Sequence, residues 1–185
     1  RRGSARGHAR RAVLHRPRLT PPAVHLVRRF FGSLRPGGPS PPEVAWVRSQ
    51  LLPGEWDLWR SMPGPDRRHS AGVARRVERS LGPQATRAVL AAALLHDVGK
   101  SRARLRTPGR VVATIAGAGS RRARVASGDG RIARYLRHDC DGASMLEDAG
   151  SDELTIAWTR EHHLPEARWT VPVAVGRVLR DADDD

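Results

Sequence analysis

The sequence has few cysteine, lysine and aromatic residues and no long apolar run. Its 185 residues include one cysteine, Cys140, so no intramolecular disulfide can form, which is typical of a reducing compartment. The basic N-terminus is not followed by the apolar stretch of about 7 to 15 residues that a secretory signal requires. Nowhere do the roughly 18 consecutive apolar residues of a membrane-spanning helix occur. These absences predict a soluble, cytoplasmic protein.

The positive charge is concentrated near the N-terminus. The formal net charge is +14 at pH 7, and residues 1–40 carry ten arginines and no acidic residue. A segment that is rich in Arg, Gly and Pro and has no apolar period is typical of a disordered extension. We therefore expect residues 1–41 to form a disordered basic tail. The alternative is salt-sensitive binding of nucleic acid, which would be confined to this tail.

Residues 42–185 show a helical pattern and predict one folded domain without a membrane partner. His69, Val73 and Val77 follow one another at a spacing of four residues, which places them on one helical stripe. The apolar residues 89–95 predict a buried central helix. No hairpin signature occurs. The sequence therefore predicts an all-α bundle of about six to eight helices.

Local signals predict several helix ends. Ser151 precedes two acidic residues and predicts an N-cap. Gly99 predicts the end of the central helix, because glycine tolerates the backbone conformation that terminates helices. Residues 101–127 fit either a helix of small residues or a short strand. Core packing, not base stacking, is the role expected for the tryptophans: Trp46, Trp56, Trp59, Trp158 and Trp169.

Five histidines of the folded region lie at predicted helix ends or on apolar stripes. They are His69, His96, His138, His162 and His163, with acids at Asp97 and at Asp181, Asp183 and Asp184. One such histidine alone is usually a hydrogen-bonded core residue, but burying this many polar groups without a metal is costly. Imidazole and carboxylate together suit Mn, Fe, Ni, Zn or Mg. The joint pattern therefore predicts a site for a divalent metal.

This arrangement resembles the HD-domain superfamily of metal-dependent phosphohydrolases. The superfamily pattern is a histidine, a His-Asp doublet and a distal aspartate that follows a small residue. His69 and the doublet in LLHDVGK match its first two elements, and Asp183 after Ala182 best matches the third. Asp181 and Asp184 remain alternatives for the distal aspartate.

Two further segments are similar to HD-GYP-type members of the superfamily. RHDCDGASML matches their HxxxGAxxL segment through His138, and TREHH matches their adjacent histidine pair through His162 and His163. The sequence reads HHLPEARW where those domains have HHE and a later GYP motif. Their specificity for cyclic di-GMP is therefore not implied.

The resemblance implies one or two divalent ions. In the two-ion form Asp97 would bridge the ions, one held by His69, His96 and Asp183 and the other by His138, His162 and His163. Lys100, the only lysine of the chain, is expected to act with Asp97 in catalysis, by stabilising charge on the phosphate or protonating the leaving group. The alternative is a solvated cation near a helix C-terminus. Whether Arg67, Arg68 and Arg102 contact an anionic substrate is left open.

The leading functional hypothesis is hydrolysis of a phosphodiester or phosphomonoester in a nucleotide or another small, nucleotide-like phosphoester. Three alternatives have a different chemistry. An HD-like di-iron oxygenase would use the same His/Asp ligands, so fold alone does not separate it from a hydrolase. A catalytically inactive regulatory domain would bind a nucleotide without turnover. A basic nucleic-acid-binding protein would depend on residues 1–40 and not on metal.

Overall fold

The computed structural model describes residues 37–103 and 130–184. Residues 1–36, most of the expected basic tail, lie outside the described residues. Residues 104–127, most of the segment that fits either a helix or a short strand, also lie outside them. The described residues form α-helices and short 3-10 turns, with no strand among them. The prediction of an all-α fold is confirmed.

Seven of the described α-helices have nine or more residues, in agreement with the six to eight expected. The helices are α1 (Pro41–Gln50), α2 (Pro53–Ser61), α3 (Gly64–Leu81), α4 (Arg87–Leu95), α5 (Lys100–Ala103), α6 (Arg131–Leu136), α7 (His138–Asp148), α8 (Glu153–Glu161) and α9 (Val173–Asp184). Two 3-10 turns occur at Gly82–Gln84 and Glu166–Arg168. Among these helices, none has both the length and the apolar character that crossing a membrane requires.

Prolines and capping acids fix where the first helices begin. Proline occupies one of the first two positions of α1, α2 and α3, where its missing N–H costs no helical hydrogen bond. The backbone N–H of Ser40 donates to the Glu43 carboxylate at 2.8 Å, and that of Leu52 donates to Glu55 at 2.8 Å. Each bond satisfies a donor next to a helix start. These starts set the direction of the helices that lead to α3 and His69.

Helix α4 is the buried centre of the bundle, as the sequence predicts. Every residue from Val89 to Leu95 is almost inaccessible to solvent. The helix packs against α3 on one side and α8 on another. The tryptophans also follow the prediction, since four of them are buried in the core and Trp46 packs against it. The central helix thus directs its C-terminal end, with His96, into the interior.

The predicted N-cap at Ser151 is wrong by one residue. Helix α8 has Asp152 as its N-cap, and the buried Ser151 hydroxyl oxygen has no hydrogen-bond partner among the described residues. The Asp152 carboxylate forms an ion pair with Arg87, which also contacts the fully buried Glu55 at 3.3 Å. This network joins the N-terminal ends of α2, α4 and α8. A long-range ion pair, invisible in the local sequence, therefore selects the cap position.

Candidate metal centre

Seven side chains converge where the ends of α4 and α8 meet α3, α7 and α9. Their possible ligand atoms form two groups, each with all atoms within 4.8 Å of one another. The triad consists of His69, His96 and Asp183; the tetrad consists of Asp97, His138, His162 and His163. All the residues predicted as ligands are thus brought together. Of the three C-terminal acids considered, Asp183 lies in a group, whereas Asp181 and Asp184 lie in neither.

The triad joins α3, the end of α4 and α9. His69 Nε2 lies 2.9 Å from Asp183 Oδ1, and His96 Nε2 lies 3.6 Å from the same oxygen. Helix α9 packs directly on α3, which brings residues 69 and 183 together across 114 positions of sequence. The first distance is a hydrogen bond and the second an electrostatic contact. The Asp183 carboxylate is therefore shared by two imidazoles.

Asp97 connects the triad to the tetrad. Its Oδ2 lies 3.4 Å from His96 Nε2 in the triad. Its Oδ1 lies 3.4 Å from His138 Nε2 and 3.7 Å from His162 Nε2 in the tetrad. His163 completes the tetrad, with its Nε2 3.2 Å from that of His138. The two oxygens of one carboxylate thus face the two different ligand groups.

Three histidines are oriented by the same backbone contact. Nδ1 of His96, His138 and His162 donates to the carbonyl oxygen three residues earlier, at 3.0, 2.7 and 2.9 Å. Since a carbonyl oxygen can only accept, Nδ1 carries the proton and Nε2 is the nitrogen directed towards the centre. Metal-binding histidines are commonly oriented in this way. Each of these histidines lies at a helix boundary, as the sequence predicts.

Three buried polar atoms at the centre lack a hydrogen bond within the described part of the chain. They are His96 Nε2, Asp97 Oδ1 and His162 Nε2. Leaving a buried donor or acceptor unsatisfied costs about 1 to 3 kcal/mol. All three atoms are of the nitrogen and oxygen types that divalent transition metals prefer. The residues present therefore fit the metal that the resemblance implies.

Charge at the centre is arranged around Asp97. Burial would raise the pKa of its carboxyl, but the Lys100 and His96 cations hold that pKa well below its usual range. Burial would lower the pKa of Lys100, but the Asp97 carboxylate, 2.5 Å from its Nζ, raises it. Both groups are therefore ionised near neutral pH.

Two buried histidines of the centre titrate in opposite directions. Burial would lower the pKa of His96, but the carboxylates of Asp97 and Asp183 outweigh it and raise that pKa to about 10. Burial and the neighbouring His96 cation lower the pKa of His162 to about 3. His162 is therefore a neutral imidazole near neutral pH, the form that binds metal.

Two glycines allow α7 to approach the turn after α4. A Cβ at Gly99 would overlap the His138 carbonyl oxygen and lie 2.7 Å from Gly142 N. A Cβ at Gly142 would lie 3.0 Å from the methyl carbon of Thr159. Helix α4 already ends at Leu95 and Gly99 has no positive φ, so the reason predicted for this glycine is wrong. Its role is close packing, which brings His138 to Asp97.

A buried carboxylate, not identified from the sequence, holds the segment after α8. Glu161 accepts hydrogen bonds from the Thr170 backbone N–H and hydroxyl, each at 2.7 Å. The Trp169 indole donates to the carbonyl oxygens of Glu161 and Leu164, both at 3.1 Å. These bonds hold the segment after α8 next to the histidine pair, His162 and His163. The only local signal was an acid directly before that pair.

The three arginines considered as substrate contacts have other surroundings. Arg67 lies over the Trp59 ring at 5.5 Å, and Arg68 donates to the Gly37 carbonyl oxygen at 2.7 Å. Arg102 is exposed on α5. None of them lines the cavity of about 350 Å³ beside the centre, whose described lining contains Arg180 instead. Arg180 was missed, although it lies one helical turn before Asp183.

The chain matches the HD domain family over residues 68–184, which is more than half of its length and includes both ligand groups. It therefore belongs to the HD-domain superfamily, whose members are typically metal-dependent phosphohydrolases. Comparison with curated proteins and with solved structures gave no significant match. The match is to the HD domain as a whole, so the similarity to HD-GYP-type members stays a prediction.

Proposed function

We propose that this chain is a metal-dependent phosphohydrolase that binds two divalent ions and acts on a nucleotide or another small phosphoester. The observation that supports this most strongly is the position of Asp97, whose two oxygens face two separate ligand groups. A bridging carboxylate of this kind is typical of two-metal hydrolytic sites. The unsatisfied Nε2 atoms of His96 and His162, one on each side of that bridge, add support.

In this proposal the triad and Asp97 hold one ion, and Asp97 with the other three members of the tetrad holds the second. Divalent ions bound there would polarise the phosphoester and lower the pKa of bound water. The backbone bonds at Nδ1 keep three of the imidazoles in the orientation and tautomer that ligation requires. The centre is thus preorganised before a ligand arrives.

Lys100 is proposed to have two roles. Its ammonium holds the Asp97 carboxylate through the 2.5 Å contact and so positions the bridging ligand. The raised pKa keeps it charged near neutral pH, so it also supplies a positive charge to stabilise the transferred phosphoryl group. The Tyr135 ring, 5.9 Å from Nζ, limits the directions that the side chain can take.

Oxygen activation at a di-iron site is the second candidate. The observation behind it is the ligand set itself, because five imidazoles and two carboxylates also suit iron. Retained iron with oxygen consumption and no phosphate release would favour this chemistry over hydrolysis.

The experiment that tests the proposal combines metal analysis with a screen of phosphoesters. We expect anaerobically purified protein to retain one to two equivalents of metal and to release phosphate or alcohol from members of the screen. Lys100→Ala, assayed with metal in excess to offset any weaker binding at Asp97, should stay metal-loaded but lose about a hundredfold in turnover, the usual effect of removing a positioned charge. Arg102→Ala, which removes an exposed cation from the same short helix, is the control. Unchanged turnover in Lys100→Ala would contradict the role of Lys100, and metal-free protein would contradict the function.

A further inference from the structure

One side of the cavity beside the metal centre is basic, and another side is formed by the candidate metal ligands. Its volume is about 350 Å³, and His96, His162 and Asp183 line it on the side of the centre. Arg180 is the only arginine or lysine among the described residues that line it. Asp184, four residues after Arg180 on the same face of α9, also lines it. A second anionic group in the cavity would therefore be bound at Arg180.

Arg180 is held in position by an aromatic surface and a carboxylate. Its guanidinium carbon lies 4.8 Å from the centre of the Trp169 ring, and its Nη2 lies 3.2 Å from Glu166 Oε2. Trp169 is itself fixed by its two indole hydrogen bonds and by Gly176, where a Cβ would come within 2.7 Å of the ring. These contacts reduce the side-chain freedom that Arg180, which is 38% exposed, loses when an anion binds.

The guanidinium has donors beyond those that Glu166 occupies. An arginine carries five N–H donors in a planar fork, which matches the geometry of a phosphate. Glu166 is the only hydrogen-bond partner of Arg180 in the described part of the chain. Glu166 also pairs with Arg177 at 2.6 Å, so two cations share one carboxylate. The Arg180 side of the pair therefore keeps positive charge for a ligand.

We propose that Arg180 binds a second phosphate group of the substrate while the metal centre takes the phosphoester that is cleaved. Arg180 and Asp183 are three residues apart on α9, so their side chains are neighbours on one helix face. The inference rests on the proposed function and narrows it to substrates with two phosphate groups a short distance apart. Arg180 would determine specificity without taking part in bond cleavage.

Binding of phosphonates that cannot be hydrolysed tests this without any turnover. The probes are methylphosphonate and three bisphosphonates whose phosphonates are joined by two, three or four methylene groups. Isothermal titration calorimetry on the metal-loaded full chain should show at least one bisphosphonate binding about tenfold or more tighter than methylphosphonate, the contribution of a charged hydrogen bond. Arg180→Met, which keeps an unbranched side chain over Trp169, should lose this preference and keep its affinity for methylphosphonate.

Arg60→Met is the control, because Arg60 is 60% exposed and, among the described residues, neither lines the cavity nor contacts Glu166. It should retain the preference, and Arg180→Lys should retain part of it. Absence of a preference in the unsubstituted chain, or a preference that survives Arg180→Met, would overturn the inference. Protein that holds no metal and does not bind methylphosphonate would instead contradict the proposed function.

Discussion

The triad and the tetrad lie side by side around Asp97 but differ in charge and in the spacing of their ligand atoms. In the triad, His69 and Asp183 touch directly at 2.9 Å, and their side chains are 34% and 19% exposed. In the tetrad, the nearly inaccessible His138 and His162 face Asp97 from 3.4 and 3.7 Å. The triad is therefore in direct contact at its carboxylate, whereas the tetrad leaves wider gaps around Asp97. Solvent reaches both groups, at His69 in the triad and at the exposed His163 in the tetrad.

The two groups also differ in the protonation of their histidines when no metal is bound. Carboxylates on both sides raise the pKa of His96 to about 10. Without metal, His96 therefore carries a proton at the place where the triad would bind a metal cation. Burial and the His96 cation lower the pKa of His162 to about 3, so its imidazole holds no such proton. Metal entering the triad must displace a proton, and metal entering the tetrad need not displace one from His162.

The largest effect is expected from Asp97→Asn, because this carboxylate faces both groups. Metal affinity should fall at both positions by more than the roughly 10- to 100-fold that loss of an outer-shell partner costs. Hydrolytic activity should be lost with the metal. Elemental analysis after dialysis measures the first effect. Asp181→Asn, an exposed acid of α9 outside both groups, should retain its metal; equal retention in Asp97→Asn would show that Asp97 is not a bridge.

Single substitutions within each group separate the two positions. His69→Gln should remove the ion of the triad, and His138→Gln that of the tetrad, so each variant should lose about one equivalent. Competition with a chelating dye gives the remaining affinity. If both variants lost all of their metal, the two groups would act as one site and the comparison drawn above would be wrong.

Gly99→Ala is expected to damage the tetrad while leaving the triad in place. Its methyl group would overlap the His138 carbonyl oxygen, so α7 must move away from Asp97. Overpacking of this kind typically costs about 1 to 3 kcal/mol. Thermal unfolding and metal content together measure the effect. Gly130→Ala, where a Cβ meets no atom of the described residues within 4 Å, is the control. A native melting temperature with full metal content in Gly99→Ala would exclude this packing role.

The residue types of the centre could be predicted from the sequence, but the contacts that orient them could not. His96 and Asp97 were found at a predicted helix end and His69 on an apolar helical stripe, and all three matched a family pattern. The choice of Asp183 over its acidic neighbours depends on the rotation of α9 against α3, which the pattern ADDD alone does not fix. The sequence contains the ligands, whereas the packing selects the register.

The fold was predictable where local sequence patterns decide, and less so where long-range pairs decide. The apolar residues 89–95 predicted the buried helix α4, and the helical pattern after residue 42 predicted the all-α fold of the described residues. The cap of α8 depends on an ion pair between Arg87 and Asp152, 65 positions apart. Arg180 was missed for the same reason, since its support comes from Trp169 and Glu166 on another segment. Local propensity carries no information about such partners.

The last and most direct test of the comparison is the dependence of metal-free stability on pH. For His162, whose pKa falls from 6.5 unfolded to about 3 folded, the stabilising contribution is present above pH 6.5 and is lost as pH falls towards 3. For His96, whose pKa rises from 6.5 to about 10, the contribution is present below pH 6.5 and is lost as pH rises towards 10. Each slope is at most about 1.4 kcal/mol per pH unit.

Urea unfolding of the chelator-treated protein between about pH 4 and pH 9 measures both limbs of this profile. His162→Gln should reduce the acid limb and leave the alkaline limb, because His163, whose pKa is also lowered to about 3, still contributes to the acid limb. His96→Gln should flatten the alkaline limb. The loss of the His96 cation also removes a cause of the low pKa of His162, so His96→Gln should weaken the acid limb slightly. If His162→Gln instead changed the alkaline limb and His96→Gln the acid limb, the tetrad, and not the triad, would hold the proton that metal must displace.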